Sequence, residues 1–222
     1  MKLIVFDVDG TLIDSQDHIH RAMTYAFGAV NHPAPDRAAM LATVGLSLPQ
    51  AMAHLAPDQD DSLHEALASA YRDSFRQARL REDAPLFPGA LACLRALAAR
   101  DDVLLGVATG KSRRGLDASM THHGLSGFVT IQTADHHPSK PHPAMLLAAM
   151  AETGVDPGRT LVVGDTSFDV EMARAAGADA IGVGWGYHPR ARLQAAGASR
   201  IAADYSDLTR MLDAWLKPAN GA

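Results

Sequence analysis

Short apolar runs rich in Val, Ile and Leu recur along the chain and alternate, after residue 85, with segments whose apolar residues lie three or four positions apart. Short runs of this kind are typical of strands buried on both faces, and the wider spacing is typical of helices. Strands that alternate with helices predict an α/β fold with a doubly wound parallel sheet. The predicted strands span residues 4–6, 103–109, 127–131, 159–165 and 178–183, and the last predicted helix ends near Pro218.

The segment from residue 14 to residue 81 has a different pattern, with helical spacing and no strand-like alternation. Pro-containing breaks divide it into helices, and we expect Asp36 and Asp58 to cap two of them. Because the first strand belongs with the later ones, this helical unit interrupts the sheet domain. We therefore expect a Rossmann-like core of residues 1–13 and 82–222 and an inserted all-helical cap subdomain of residues 14–81.

Composition narrows the class of protein. The chain has 222 residues, of which 47% are hydrophobic, with a net charge of −5, so it has enough apolar content for a sizeable core and no excess of basic residues for nucleic acid. Its single cysteine, Cys93, lies at helical spacing among Ala and Leu, which predicts a buried structural thiol. Because we recognise neither a secretion leader nor an apolar run long enough to span a membrane, we expect a cytoplasmic monomer or homodimer that acts on a small molecule, without membrane or nucleic-acid partners.

Two carboxylates, Asp7 and Asp9, follow the first predicted strand. Side chains two positions apart on a strand point the same way, and two neighbouring anions repel each other unless a cation or a shared proton relieves them. A hard divalent cation such as Mg²⁺ suits carboxylate oxygens. Gly10 permits a sharp exit from the strand, and Thr11 adds a hydroxyl group. The segment therefore predicts a Mg²⁺-dependent active site.

Polar residues also follow three further predicted strands. In sheets of this type, ligands bind at the carboxyl ends of the strands. Each residue alone could be a helix cap or a solvated side chain, but their joint occurrence at successive strand ends points to one site. The residues are Thr109 and Gly110 after the second strand, Lys140 after the third, and Asp165 and Asp169 after the fourth.

These residues resemble the haloacid dehalogenase superfamily, whose four motifs match in order over essentially the whole chain. The helical insertion directly after the first motif is similar to that of the phosphoglycolate phosphatase and β-phosphoglucomutase group. The matching motifs are Asp-Val-Asp-Gly-Thr at 7–11, Thr-Gly at 109–110, Lys-Pro at 140–141 and Gly-Asp-Thr-Ser-Phe-Asp at 164–169.

The resemblance implies a phosphatase that works through an aspartyl-phosphate intermediate. It implies that Asp7 attacks the substrate phosphorus, and that Asp9 protonates the leaving oxygen and then activates the hydrolytic water. It also implies that Thr109 and Lys140 hold phosphate oxygens. The substrate would be a small phosphorylated metabolite.

The resemblance further implies that Mg²⁺ is bound by Asp7, by Asp165 and by the backbone carbonyl of Asp9, with Asp169 in support. A Gly-containing segment of the cap resembles the loop that sets substrate specificity in these phosphatases. The residues expected to bind substrate are Gly10, Thr11, Gly110 and Gly45.

Related chemistries remain open to different degrees. Asp9 favours phosphate over a halogenated substrate, because a halide leaves without a proton. The predicted cap contains no lysine, which excludes phosphonate cleavage through a Schiff base. The cap histidine typical of β-phosphoglucomutases would fall at Ile19, between His18 and His20, so a phosphotransferase is disfavoured but open. We rank 2-phosphoglycolate first, other small monoesters or pyrophosphate next, and a non-enzymatic receiver-like binding module last.

Two patterns are set aside. Residues 106–112 imitate a nucleotide-binding loop but have three residues between the glycines where that motif needs four. The histidines at 136, 137 and 142 lie in a polar, Pro-containing loop, which indicates a solvated face, and we assign no zinc there.

Overall fold

A single parallel sheet organises the molecule in the computed structural model, which describes residues 1–81 and 84–217. The strands are β1 (Lys2–Phe6), β2 (Val103–Thr109), β3 (Phe128–Thr133), β4 (Thr160–Gly164), β5 (Asp179–Val183) and β6 (Arg200–Ala202). The helices are α1 (Gln16–Ala29), α2 (Arg37–Leu41), α3 (Leu48–Leu55), α4 (Asp61–Arg81), α5 (Ala90–Ala98), α6 (Arg113–His123), α7 (Ala144–Thr153), α8 (Ser167–Ala175), α9 (Arg190–Ala196) and α10 (Tyr205–Leu216).

The strand order is β3-β2-β1-β4-β5-β6, and all neighbours are parallel. After β1 the chain adds β2 and β3 on one side and then β4, β5 and β6 on the other. The topological switch point therefore lies between β1 and β4, where ligands bind in sheets of this kind. Asp7 and Asp165 directly follow these two strands.

Helices cover both faces of the sheet, as the sequence predicted. Alternate residues of β1 enter different cores: Ile4 and Phe6 pack with residues of α5, α6 and α10, and Leu3 and Val5 pack with residues of α7, α8 and α9. All four side chains are fully buried, which explains why this strand consists of apolar residues without alternation. The α/β, doubly wound fold class is confirmed.

The four helices α1 to α4 form an all-helical insert before β2. Their buried residues make a cluster of their own, centred on residues such as Phe27, Met52 and Leu67. The chain enters and leaves the insert side by side, because the amide of Asp14 donates to the carbonyl of Pro85 at 2.8 Å. The predicted domain bounds at residues 13/14 and 81/82 stay a prediction, and residue 82 lies outside the described residues.

Some local features differ from the predictions. Asp36 caps α2 through the amide of Ala39 at 2.7 Å, as expected. The prediction that Asp58 caps α4 was wrong. The helix begins at residue 61, and Asp60 accepts instead from the amide of Leu63 at 2.9 Å. The last helix ends at Leu216, and Pro218 lies outside the described residues. Helices α6 and α9 and strand β6 were not predicted.

The buried position of Cys93 is confirmed, and burial raises the pKa of its thiol. None of the helices in the described parts of the chain combines the length and the apolar character that crossing a bilayer requires.

Candidate active site

A buried lysine joins two of the predicted acidic residues. The ammonium of Lys140 donates to Asp7 Oδ1 at 2.7 Å and to Asp169 Oδ1 at 2.6 Å. Lys140 reaches this position from the loop after β3, whereas Asp7 directly follows β1 and Asp169 lies in the first turn of α8. All three side chains are almost completely inaccessible. The predicted convergence of separate strand ends is therefore present for these residues.

Burial controls the protonation of this group. Burial raises the pKa of Asp7 to about 7, against the opposing charge of Lys140 and with support from the charges of Asp169 and Asp9. Burial and the charges of Asp7 and Asp169 also hold the pKa of Asp165 well above its ordinary value. Burial alone would lower the pKa of Lys140, but the charges of Asp169 and Asp7 raise it, so its ammonium stays charged.

Three carboxylates could hold a metal ion. One oxygen from each of Asp7, Asp165 and Asp169 lies within 4.8 Å of the others, and all three residues are buried. Asp165 is held in place by the hydroxyl of Thr11, which donates to Oδ1 at 2.9 Å, and by the amide of Tyr187, which donates to Oδ2 at 2.8 Å. Oxygen ligands that repel one another in a buried space fit a hard divalent cation, because its charge would relieve the repulsion.

Asp169 is fixed by the start of α8. Its Oδ2 accepts from the amide of Thr166 at 3.1 Å and from the hydroxyl of the same residue at 2.7 Å, in a capping box. The cap leaves Asp169 Oδ1 directed at Lys140. Gly164 makes room for this carboxyl group, since a Cβ there would lie 2.4 Å from the Asp169 side chain.

The carboxylate of Asp9 has other partners. Lys111 donates to its Oδ1 at 2.8 Å and to its Oδ2 at 2.7 Å, and the hydroxyl of Ser15 donates to Oδ1 at 2.7 Å. The pleating argument does not extend to Asp9, because β1 ends at Phe6. The two carboxylates therefore meet different cations, and the side chain of Asp9 lies outside the group of three described above. The resemblance implies that Asp9 binds the metal through its backbone carbonyl. The position of the Asp9 side chain does not test this contact, so it stays a prediction.

At two of the glycines expected to bind substrate, Gly10 and Gly110, a side chain would collide with neighbouring atoms. At Gly10, with φ +84°, a Cβ would lie 2.3 Å from Asp165 Oδ2. At Gly110, a Cβ would lie 2.5 Å from the carbonyl oxygen of Leu46 in the insert. Thr109 is buried, and its hydroxyl accepts from the amide of Lys111 at 3.3 Å. Gly10 therefore lies against the acidic group, Thr109 and Gly110 lie at the end of the neighbouring strand β2, and the contact of all three with a substrate stays a prediction.

The helical insert covers this edge of the sheet. Gly45, with φ +99°, faces Thr166 so closely that a Cβ would lie 3.0 Å from its hydroxyl oxygen. The amide of Ser47 donates to Ser139 Oγ at 2.7 Å. Nearby, the amide of Ser167 donates to Nδ1 of His188 at 2.9 Å, so Nε2 carries the proton and donates to the carbonyl of Ala42 at 3.1 Å.

Sequence reasoning missed several residues at this site. Lys111 directly follows the Thr-Gly pair at the end of β2, and this position in the sequence could have indicated that it belongs to the site. The contact between Ser15 and Tyr187 was not predictable, because only the folded chain brings the Tyr187 hydroxyl to 2.9 Å from Ser15 Oγ; the segment from Gly186 to Ala198 resembles phosphoglycolate phosphatases, but this resemblance gave Tyr187 no role. Burial raises the pKa of Tyr187, and the charge of Asp9 adds to the effect, so the phenol stays protonated.

Two of the three histidines set aside in the sequence, His137 and His142, have ordinary hydrogen-bond partners. Nε2 of His137 lies 2.7 Å from Gln132 Oε1, and Nδ1 of His142 accepts from the amide of Ala144 at 3.2 Å.

Comparison with known proteins places this geometry in a family. The family described as "Haloacid dehalogenase-like hydrolase" matches residues 4–183. A Dickeya dadantii protein named "Probable phosphatase IndB" is 39% identical over 220 residues, which cover 97% of this chain and 95% of that protein. A phosphoglycolate phosphatase of Pseudomonas putida is 30% identical over 230 residues, which cover 99% of this chain and 82% of that protein. The crystal structure of a hydrolase from Pseudomonas syringae matches with a TM-score of 0.87 and 26% identity, covering 96% of this chain and 99% of the other. The chain therefore belongs to the haloacid dehalogenase-like hydrolase family.

Proposed function

We propose that the chain is a Mg²⁺-dependent phosphatase that hydrolyses a small phosphate monoester through an aspartyl-phosphate on Asp7. The buried group of Asp7, Asp165, Asp169 and Lys140 carries this proposal. A carboxylate that attacks an anionic phosphate faces electrostatic repulsion, and the ammonium 2.7 Å from Asp7 offsets part of it. The raised pKa values of Asp7 and Asp165 support the proposed cation, because its charge would relieve the repulsion that disfavours their ionised forms.

In the first half-reaction, a carboxylate oxygen of Asp7 forms a bond to phosphorus while the bond from phosphorus to the leaving oxygen breaks. The leaving oxygen takes a proton from Asp9, whose carboxyl group Ser15 and Lys111 hold in position. In the second half-reaction, water attacks the phosphorus, Asp9 accepts the proton of that water, and inorganic phosphate leaves as Asp7 is restored. The covalent intermediate thus divides one difficult displacement into two.

Phosphate oxygens would be held by Thr109, by Lys140 and by the backbone around Gly110, Gly10 and Thr11. Bound Mg²⁺ would neutralise charge on the transferring phosphoryl oxygens, with Asp7, Asp165 and the backbone carbonyl of Asp9 as ligands and Asp169 in support. Gly45 lies in the cap segment that we propose sets substrate choice.

We rank 2-phosphoglycolate first among substrates. The named activity of the Pseudomonas putida relative supports this ranking, together with the helical insert that follows the first motif. Other small monoesters and pyrophosphate follow.

A phosphotransferase of the β-phosphoglucomutase type is a second candidate, because of one observation. Ile19 packs in the core of the insert, but the buried His18 lines a small cavity together with Asp9 and Lys111. A cap histidine therefore lies near the proposed acid, although one position from the expected register. Conversion of β-glucose 1-phosphate to glucose 6-phosphate would identify this activity, and phosphate release without isomerisation would exclude it.

The proposed function is tested by phosphate release from a panel of small monoesters and pyrophosphate, with Mg²⁺ and with chelator. We expect Mg²⁺-dependent release, and we expect Asp7→Asn to abolish it because an amide cannot act as the attacking carboxylate. Thermal melting of the same preparations should show a folded variant. Undiminished turnover by Asp7→Asn would remove Asp7 as the nucleophile, and release that is independent of metal would contradict the Mg²⁺ assignment.

A further inference from the structure

Lys111 forms a bidentate ion pair with the carboxylate of Asp9. Its ammonium reaches both carboxylate oxygens, at 2.8 and 2.7 Å, and only 10% of its side chain is exposed. The ring of Phe75, from α4 of the insert, covers this ammonium at 5.0 Å from the ring centroid. Lys111 therefore lies at the boundary between the core and the insert, beside the proposed proton donor.

The space around this ion pair is almost full. The cavity lined by Asp9, Lys111, Phe75 and His18, among others, has a volume of about 10 Å³, which is room for about one water molecule. In the proposed mechanism, the leaving oxygen of the substrate must reach a carboxylate oxygen of Asp9. A carboxyl group that donates a proton to this leaving oxygen is neutral, so the ammonium of Lys111 loses its anionic partner when Asp9 carries the proton.

A buried ammonium that loses its anionic partner is costly. A carboxylate or phosphate on the leaving group would replace the lost partner, whereas a neutral alcohol would not. Lys140 has a different position in the proposed mechanism, since it contacts Asp7, the proposed nucleophile, and Asp169 at 2.7 and 2.6 Å and has no hydrogen bond to Asp9 among the described residues.

We propose that Lys111 determines substrate specificity by binding an anionic group on the leaving-group side of the substrate. The preferred substrates are then phosphate monoesters or anhydrides whose leaving group is itself an anion, such as glycolate or phosphate. This inference rests on the proposed function, because it requires the leaving oxygen to meet Asp9.

The test compares binding of two ligands that differ in one group, 2-phosphoglycolate and 2-hydroxyethyl phosphate. Calorimetric titration with Mg²⁺ in the Asp7→Asn background measures binding without turnover. Adding Lys111→Met should weaken binding of 2-phosphoglycolate by about 10- to 100-fold and binding of 2-hydroxyethyl phosphate by less than about threefold, because only the first loses a charged hydrogen bond. Lys111→Arg, which keeps the charge, should restore part of the difference.

Arg113→Gln is the matched control, since it removes a cation two residues further along the chain, in the first turn of α6. Arg113 is half-exposed and pairs with Asp117, so neither affinity should change. Equal weakening of both ligands by Lys111→Met would overturn the proposal. If Lys111→Met does not fold, the Asp7→Asn protein alone still tests the proposal. Equal affinity for the two ligands would overturn the proposal, and tighter binding of 2-phosphoglycolate would support it. Phosphate release by the unmodified chain tests the proposed function separately, since binding in the Asp7→Asn background requires no turnover.

Discussion

At the scale of single residues, Asp7 and Asp9 are close in sequence but have different surroundings. Asp7 is buried against Lys140, whereas Asp9 pairs with Lys111 and accepts from Ser15. In the proposed mechanism this difference separates two roles, because the attacking carboxylate and the proton carrier need different partners.

Asp9→Asn tests the proton-carrying role. We expect a loss of about 10²–10⁴ in the rate of phosphoryl transfer from an alkyl phosphate, whose leaving oxygen needs a proton. The loss should be smaller for p-nitrophenyl phosphate, whose leaving group is stable as an anion. Rapid-quench measurement of the first turnover separates this step from hydrolysis of the intermediate, which also uses Asp9.

Asp102→Asn is a suitable control, because Asp102 lies on the surface in an ion pair with Arg100. Its rates should match those of the unmodified chain with both substrates. Equal losses with the two substrates in Asp9→Asn would count against protonation of the leaving oxygen.

At the scale of elements, the sequence predicted β1 to β5, and the signal was clearest for strands such as β1 and β4, because burial on both faces leaves a continuous apolar run. The edge strand β3 has a weaker pattern, since Val129 is exposed and Thr130 and Gln132 are polar. It did not predict α6, whose buried face includes only Leu116 and Ser119, or the short elements α9 and β6. The acidic residues and Lys140 could be grouped from sequence, since parallel strands end at one edge of the sheet. The contacts of Lys111, Ser15 and Tyr187 could not, because they depend on how loops and the insert pack.

The contact between the β2–α6 loop and the insert gives a prediction for Gly110. In Gly110→Ala, the new Cβ would lie 2.5 Å from the carbonyl oxygen of Leu46 and 2.9 Å from that of Gly45, so the insert loop must move away. We expect kcat/KM to fall by about 100-fold, since a displacement near 1 Å can have this effect on a positioned site. The melting temperature should change little, because the substitution removes no side chain from any of the three hydrophobic clusters.

Gly28→Ala provides the comparison. Gly28 lies in α1 with open space around it, so the substitution should stabilise the chain by up to about 1 kcal/mol and leave kinetics unchanged. An unchanged kcat/KM in Gly110→Ala would show that turnover does not require this contact of core and insert.

At the scale of the whole molecule, folding brings three carboxylates and one ammonium into a buried space between the sheet and the insert. When all of them are ionised, the negative charge of Asp7, Asp165 and Asp169 exceeds the positive charge of Lys140. Burying unbalanced charge disfavours the folded state, so the stability of the entire chain should depend on protons and on a divalent cation at this site.

The sign of this dependence follows from the pKa values. The pKa of Asp7 is about 7 in the folded chain and that of Asp165 is also raised, whereas an unfolded Asp has a pKa of about 3.9. Without metal, the folded chain binds more protons than the unfolded chain above pH 4. The contribution of these groups to stability is therefore fully present below about pH 4 and is lost as the pH rises through about 7.

Mg²⁺ binds the ionised carboxylates, so it competes with protons for the site. We expect Mg²⁺ to raise the melting temperature little at pH 5.5 and by several degrees at pH 8, where ligand at about 100 times its dissociation constant contributes about 2.7 kcal/mol. Differential scanning calorimetry with Mg²⁺ and with chelator at both pH values measures this difference. Asp165→Asn should lose most of the shift at pH 8, since it removes one anionic ligand. An equal shift at pH 5.5 and pH 8, or a full shift in Asp165→Asn, would mean that Mg²⁺ stabilises the chain at a different place.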